Sequence, residues 1–458
     1  MRFRSVRGVT GVAVLLIAAM GCGAEAPAAT DLLLITIDTL RADRLACYGG
    51  PPDLGRAICD LAEEGTRFAW AFSTAPSTIP SVASLLTSLY PAFHGVGQGV
   101  HFYLSNEAVS VAELLQEAGY TTAAVVSNPI LESGRNFTQG FDVYDEAPHG
   151  KAREARATTD AALRWAQQNA RSPWFLWVHY QDPHGPYTPP AAQPERDVPG
   201  ERRLRVLEGD YAPEGIPRYQ ALPGLFSLGA YQRLYDAEIR HLDVQLARLV
   251  RGIDGLGRRP AILLTADHGE AFGEDGYYFA HGHSARLDQV RVPLLWRPAR
   301  ATSTASARVV ETPVSLIDIA PTLLSMAGLA APDSFQGRPL PVGAANLDDV
   351  LASTRHLFIE HRRRVAVIGE NAIYERNRRP DEGAPELRSR FGSLPERVAM
   401  LEGTGRLPRY GSPRPQHRKL SDALDSYLTT TRGLPTAPRH EVVSKQLRDR
   451  LRELGYVE

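Results

Sequence analysis

Residues 32–38 read Leu-Leu-Leu-Ile-Thr-Ile-Asp. An apolar run this short and unbroken reads as a strand covered on both faces, as in the interior of a parallel sheet. It ends in a carboxylate. Ligands of open α/β sheets collect at the carboxyl ends of the strands, and a buried carboxylate there must be solvated, paired or bound to a metal. The run therefore predicts an α/β architecture with both sheet faces covered, and it marks Asp38 as the first candidate site residue.

The rest of the chain supports that class. Strands are expected over 66–73, 120–127, 174–180, 261–265 and 290–296. Helices are expected over 53–64, with Asp53 as its cap, and over 80–88, opened by Pro80. Further helices are expected from the capping box Ser110–Glu113 to Gly119, and over 152–168, 228–250 and 316–327. Strand and helix alternate, which is the α/β signature. Residues 189–223 are rich in Pro, Gly and charge and read as a surface insertion or lid. From His361 the character changes, with 20 Lys/Arg against 13 Asp/Glu and little long apolar patterning. A hairpin over 365–369 and 372–375 and a helix over 443–454 are expected there. The remainder to about Thr436 reads as loops, and the basic excess reads as a solvated face.

A chain of 458 residues has room for one large domain and a smaller one. The formal charge of -1 argues against nucleic acid as a partner. Arg2, Arg4 and Arg7 precede an apolar run over 9–20, too short for a membrane span and typical of an export signal. Ala19-Met20-Gly21-Cys22 resembles a bacterial lipoprotein processing site, which would place a lipid anchor on Cys22. The expected divisions are a signal over 1–21, a large domain over 31–345 and a smaller C-terminal α+β subdomain over 346–458. The expected location is the periplasm or cell envelope. Cys47 and Cys59 are then left, either paired or simply buried. Two cysteines make no disulfide scaffold.

Asp267-His268-Gly269-Glu270 follows a second apolar strand, and His281-Gly282-His283 follows a glycine-containing loop. Adjacent carboxylate and imidazole at a strand end can hold one divalent cation. Thr78 lies just ahead of the helix that Pro80 opens, where an anion meets free backbone N–H groups. A hydroxyl there is a credible nucleophile, with Ser77, Ser81 and Ser84 as nearby competitors. Asp182-Pro-His184-Gly-Pro-Tyr187 follows another strand. His184 could donate to ester oxygens, protonate a leaving group or bind a second metal. Asp182 could orient it, share that metal, or serve only the turn.

These pieces together resemble the sulfatases of the alkaline phosphatase superfamily. The opening run through Arg41-Ala-Asp43 to Cys47-Tyr48-Gly49 is similar to their first motif. Pro183-His184-Gly-Pro186-Tyr187 is similar to their histidine segment, and Asp267-His268-Gly269-Glu270 to their second metal motif. Arg291-Val292-Pro293, Gly337-Arg338-Pro339-Leu340 and Leu454-Gly455-Tyr456 fit as well. The resemblance implies a three-layer fold with a large central mixed sheet. It also implies a cation held by Asp38, Asp267 and His268, and hydrolysis through a covalent ester on the enzyme.

The nucleophile departs from the usual sulfatase pattern, in which a Cys or Ser followed by x-Pro-x-Arg becomes formylglycine. Here the run is Thr78-Ile-Pro80-Ser-Val82, and threonine cannot give that aldehyde. Thr39 replaces the second carboxylate of the opening motif. Thr78-x-Pro80, with Leu86-Thr-Ser-Leu-Tyr90-Pro91 and His94-Gly95, resembles instead the nucleotide pyrophosphatases and phosphodiesterases. These use an unmodified threonine and two zinc ions. Carried over, Asp38, Thr78, Asp267 and His268 hold one metal. His281, with Asp182 or His184, holds a second, and His283 and Arg41 are further candidates for substrate or second metal. The expected cofactor is one or two divalent ions, zinc foremost, with calcium, manganese or magnesium as alternatives. The expected substrate is a small phosphate mono- or diester. The alternatives are a sulfatase working without formylglycine and a non-catalytic binding protein on the same fold.

Overall fold

Leu32–Ile37 forms a wholly buried strand with a parallel neighbour on each side, Trp174–Tyr180 and Ala261–Ala266. The register is level. Ile37 stands beside Tyr180 on one side and Ala266 on the other. The next residue of each strand (Asp38, Gln181 and Asp267) therefore emerges at one height along a common edge. In the computed structural model the described residues are 30–98, 101–147, 151–169, 173–190, 196–209, 213–299, 307–342, 355–361, 364–377, 396–401 and 407–437. The expected export signal, Cys22 and the expected helix over 443–454 lie outside them.

The central strands belong to an eight-stranded sheet. Thr121–Val126 and Val143–Glu146 extend it in parallel beyond Trp174–Tyr180. On the other side antiparallel Leu294–Arg297 comes first, then Thr66–Phe68 and Arg308–Val310. The sheet is thus mixed, as the family resemblance implies. Helices Arg56–Glu63, Ala155–Gln168 and Leu228–Asp254 contact one another in one group. Thr78–Thr87, Val111–Glu117 and Ile319–Met326 form a second group, and with the sheet these make a three-layer α/β fold. Leu228–Asp254 buries Tyr231, Leu234, Tyr235, Glu238, Ile239, Leu242, Leu246 and Leu249, the three-and-four spacing of a one-sided helix. Among the described residues no helix is long and apolar enough to cross a membrane.

The structure corrects the sequence reading at several joints. The strand expected over 66–73 breaks at Ala69–Trp70, and the one over 290–296 breaks at Pro293, which has no N–H to give a ladder. Each segment starts in one sheet and ends in another, because Ala71–Phe72, Arg291–Val292 and Val314–Ser315 form a three-stranded sheet of their own. Gly55, not Asp53, caps the first helix, and Asp53 pairs with Arg240. The helix expected from Pro80 starts at Thr78, two residues before it. Proline is tolerated there because first-turn N–H groups have no intrahelical acceptor. Cys47 and Cys59 are joined in a disulfide.

The hairpin expected over 365–369 and 372–375 is present, as Arg364–Ile368 paired with Ala372–Asn377, but the loop reading of the rest to Thr436 is overturned. Leu357–Glu360, Arg364–Ile368, Ala372–Asn377 and Glu396–Met400 form an antiparallel sheet in chain order. Leu357, Ile359, Ala366, Ile368 and Ile373 pack toward Trp70, Phe72 and Leu287. Val365, Val367, Tyr374 and Val398 face the other way, against Leu424 of the helix Arg418–Thr430. Strict alternation thus covers both faces of a short sheet.

Candidate active site

Asp38 and Asp267, on adjacent strands, are both wholly buried, as are His268 and His179. Each carboxylate has one anchored oxygen and one left over. Asp38 Oδ2 accepts from the Asn128 side-chain amide. Asp267 Oδ1 accepts from the backbone N–H of His268 at 2.8 Å and of Thr39 at 3.3 Å. Asp38 Oδ1 and Asp267 Oδ2 have no hydrogen-bond partner. Both lie 3.6 Å from the same atom, His268 Nε2.

The chemistry of that nitrogen is fixed locally. His268 Nδ1 lies 2.9 Å from the Gly269 carbonyl, which only accepts, so the ring proton sits on Nδ1 and Nε2 carries the lone pair. Thr78 Oγ1 lies 3.2 Å from Nε2 and donates to it. Thr78 is the first residue of a helix buried along its whole length, with Ser77 in extended conformation at its cap position. Two of the competing serines are spent elsewhere. Ser81 donates to the Asp267 carbonyl at 2.6 Å, and Ser84 pairs with His94 at 3.0 Å.

Electrostatics place the two acids at opposite extremes. Burial alone would raise the Asp38 carboxyl, but the neighbouring imidazoles of His184, His179 and His268 hold it far below the usual carboxylate range. Asp267 is driven well above that range, first by burial and then by the neighbouring Asp38 charge. Burial, then the His281 charge, lowers His268 to about 3. Two adjacent dry carboxylates do not both ionise without a positive partner. A divalent cation would be that partner. Asp38, His179 and Asp267 each offer a ligand atom, all within 4.8 Å of one another. Orphaned buried oxygens and an imidazole lone pair are the donor set that such a cation takes.

The other expected residues are distributed around this cluster. The rings of His281 and His268 are 4.5 Å apart, and those of His184 and His281 are 5.0 Å apart. His281 Nδ1 faces Glu270 at 3.2 Å, and Tyr187 donates to the same carboxylate at 3.1 Å. His184 Nδ1 donates to the Gly185 carbonyl at 2.7 Å. Asp182 faces elsewhere: its carboxyl meets Glu238 of the long helix and the start of the helix at Ala155. Arg41 is held by Asp43, Glu274 and the Glu270 carbonyl, with Phe272 against its guanidinium. His283 stacks on Tyr277 with ring centres 4.2 Å apart.

Sequence reasoning missed His179, Asn128 and the buried side chain of Glu270. His179 was hidden inside an apolar strand, yet one imidazole in Trp-Phe-Leu-Trp-Val-His-Tyr was a usable signal. Asn128 lies just past the strand Thr121–Val126, so the strand-end rule that selected Asp38 applies to it as well.

A large mixed sheet between two helix layers, with paired carboxylates and imidazoles at the strand ends, is the arrangement of an ester hydrolase with a candidate divalent-metal site. The chain belongs to the sulfatase family, whose model, described simply as sulfatase, matches residues 30–329. It is a hydrolase of the class acting on sulfuric or phosphoric esters. It is 25% identical to the uncharacterized sulfatase YidJ of Escherichia coli (strain K12), over 67% of this chain and 69% of that one. It is 24% identical to the arylsulfatase of Clostridium perfringens (strain 13 / Type A), over 68% of this chain and 77% of that one. The phosphonate monoester hydrolase SpPMH from Silicibacter pomeroyi shares the fold, with a TM-score of 0.64 at 20% identity over 89% of this chain and 96% of that one.

Proposed function

We propose that this protein is an exported hydrolase of phosphate mono- or diesters that works through a covalent ester on Thr78. One observation carries the reading. Thr78 Oγ1 stands at a helix start, 3.2 Å from the lone pair of His268, beside two orphaned carboxylate oxygens. Asp38, Asp267 and His268 would hold the divalent cation, with zinc the first choice. Bound there, a cation lowers the pKa of an adjacent hydroxyl and offsets charge on the ester oxygens.

The chain's own groups supply the rest. Thr78 Oγ attacks phosphorus in line with the departing alkoxide and forms phosphothreonine. The hydroxyl proton leaves to solvent, because the Nε2 lone pair of His268 would be committed to the cation. Helix first-turn N–H groups at Thr78 and Ile79 bind the non-bridging oxygens. The departing alkoxide takes its proton from a water molecule, which the His184 Nε2 lone pair can orient, since the His184 ring proton is held on Nδ1 by the Gly185 carbonyl. Water then adds to the phosphothreonine, releasing phosphate and restoring the hydroxyl.

Family membership favours a second reading, hydrolysis of sulfate esters by the same threonine. Val82, where the usual family pattern has arginine, and the unmodified threonine favour phosphate. The deciding experiment supplies metal-reconstituted protein with aryl phosphate monoesters, diesters and sulfates, then quenches it for mass spectrometry. A phosphate adduct on the peptide containing Thr78 is the expected result. Turnover of sulfate alone, with no phosphate adduct, defeats the proposal. Export, with a lipid on Cys22, fits the Cys47–Cys59 disulfide, since such bonds persist in oxidising compartments. Cells fed a palmitate analogue should label the protein, and a Cys22→Ser variant should not be labelled. In this reading residues 31–345 are the catalytic unit and 346–458 the smaller subdomain.

A further inference from the structure

We infer that His179 is a positioning residue, which orients Asp38 through its second oxygen and is itself oriented by Thr36 and Trp177. It is not a ligand of the cation. This rests on the reading of Asp38, Asp267 and His268 as a cation site.

The argument is a count of hydrogens. Trp177 Nε1–H can only donate, and it donates to Thr36 Oγ1 at 2.8 Å. Thr36 Oγ1 lies 2.8 Å from His179 Nδ1 on its other side. Thr36 and His179 are direct partners across the parallel pair, so backbone register fixes this contact. The hydroxyl has one hydrogen. If it points at Nδ1, Trp177 Nε1, Thr36 Oγ1 and His179 Nδ1 are satisfied in turn, and the His179 ring proton sits on Nε2. That N–H then faces Asp38 Oδ2, at 3.8 Å. In the opposite order the Nε2 lone pair would face an anionic oxygen, which is repulsive, and the Thr36 hydrogen would need another acceptor. The first order leaves His179 with no lone pair for a metal.

The two oxygens of Asp38 match this division. Oδ2, the one facing His179, is the oxygen already gripped by Asn128. Oδ1 has no hydrogen-bond partner and faces His268 Nε2. One side of the carboxylate is thus fastened by Asn128 and faced by the His179 ring at 3.8 Å, and the other is turned to the cluster that contains Thr78. His268 contrasts with His179 on the same carboxylate. Its proton is directed away to a carbonyl, so its Nε2 presents a lone pair to the cluster. Groups of this kind around a ligand fix its direction, and their loss costs about 10–100-fold in metal affinity or activity.

The test uses the full chain loaded with zinc. X-ray absorption counts imidazole ligands in wild type and His179→Gln, and chelator competition measures zinc affinity in wild type, Thr36→Val and Thr36→Ser. The proposal expects the same imidazole count in His179→Gln as in wild type. It expects zinc affinity to fall about 10-fold or more in Thr36→Val, with His179 untouched, and to return toward wild type in Thr36→Ser. Near-ultraviolet circular dichroism confirms that each variant is folded, and the Thr36 pair decides the matter if His179→Gln is not. Loss of one imidazole in His179→Gln overturns the proposal and makes His179 a ligand. Unchanged affinity in Thr36→Val also overturns it. Failure of wild type itself to bind a divalent ion at this site would sink the cation reading as a whole, a result distinct from either of these.

Discussion

Two pairs of buried acids in this protein lie within a few residues of the same histidine loop and behave differently. Asp38 and Asp267 face imidazoles, an amide and a threonine hydroxyl, and each keeps one oxygen without a partner. Asp182 and Glu238 face each other. Burial pushes Asp182 up to about 6. Burial, and then the Asp182 charge, pushes Glu238 up to about 8. Asp182 also keeps one oxygen, Oδ2, without a hydrogen-bond partner, but it lies against another acid, and Glu238 accepts from the Thr188 N–H at 2.7 Å. This second pair clamps the His184 loop to the long helix. Burial of carboxylates therefore does not by itself define a cation site. What faces the spare oxygens decides.

That contrast can be broken in order of expected effect. Asp267→Ala should abolish both activity and cation binding, and metal analysis of the purified variant should fall from about one equivalent toward none. Full occupancy would move the site elsewhere. Thr78→Ala should cut turnover on the order of 10³-fold or more while the cation stays bound, as kinetics paired with metal analysis will read. Near-normal turnover would remove Thr78 from the mechanism.

The other pair should respond to pH rather than to metal. Glu238 is protonated in the folded protein up to about pH 8, whereas its ordinary value is 4.5. Between those values the folded state binds the extra proton, so this group's contribution to stability falls as pH rises through that window. Glu238→Gln keeps a hydrogen-bonding group and removes the titration. Thermal melts from pH 5 to 8.5 should show a shallower decline in Tm for the variant than for wild type, and equal slopes would contradict the raised Glu238 value. The smallest effect is expected for Asp182→Asn, which should leave metal content unchanged. Loss of metal there would join the two pairs into one site.

How much of this could be read from the sequence depends on which force fixed each part. Strand ends were legible, because an apolar run that terminates in Asp38 or precedes Asp267 announces both burial and exit. The Thr78 helix start was legible within two residues from Pro80. The breaks at Ala69–Trp70 and Pro293 were not, since both halves of each segment are apolar and only pairing separates them. The tail was misread for a different reason. Its helix carries Leu420, Leu424, Tyr427 and Leu428 at helical spacing, but prolines and charge on either side obscured it. Asp182 was grouped with the metal residues by its neighbour His184, and adjacency in sequence says little about which way a side chain faces after a turn.

The level register of the three central strands has one more consequence. Asp38 and Asp267 follow strand residues set side by side by backbone ladders that do not depend on their own side chains. Replacing a rim residue therefore alters the reactive inventory while the platform beneath it stays put. Chemistry at this rim can diverge by point substitution, without remodelling of loops.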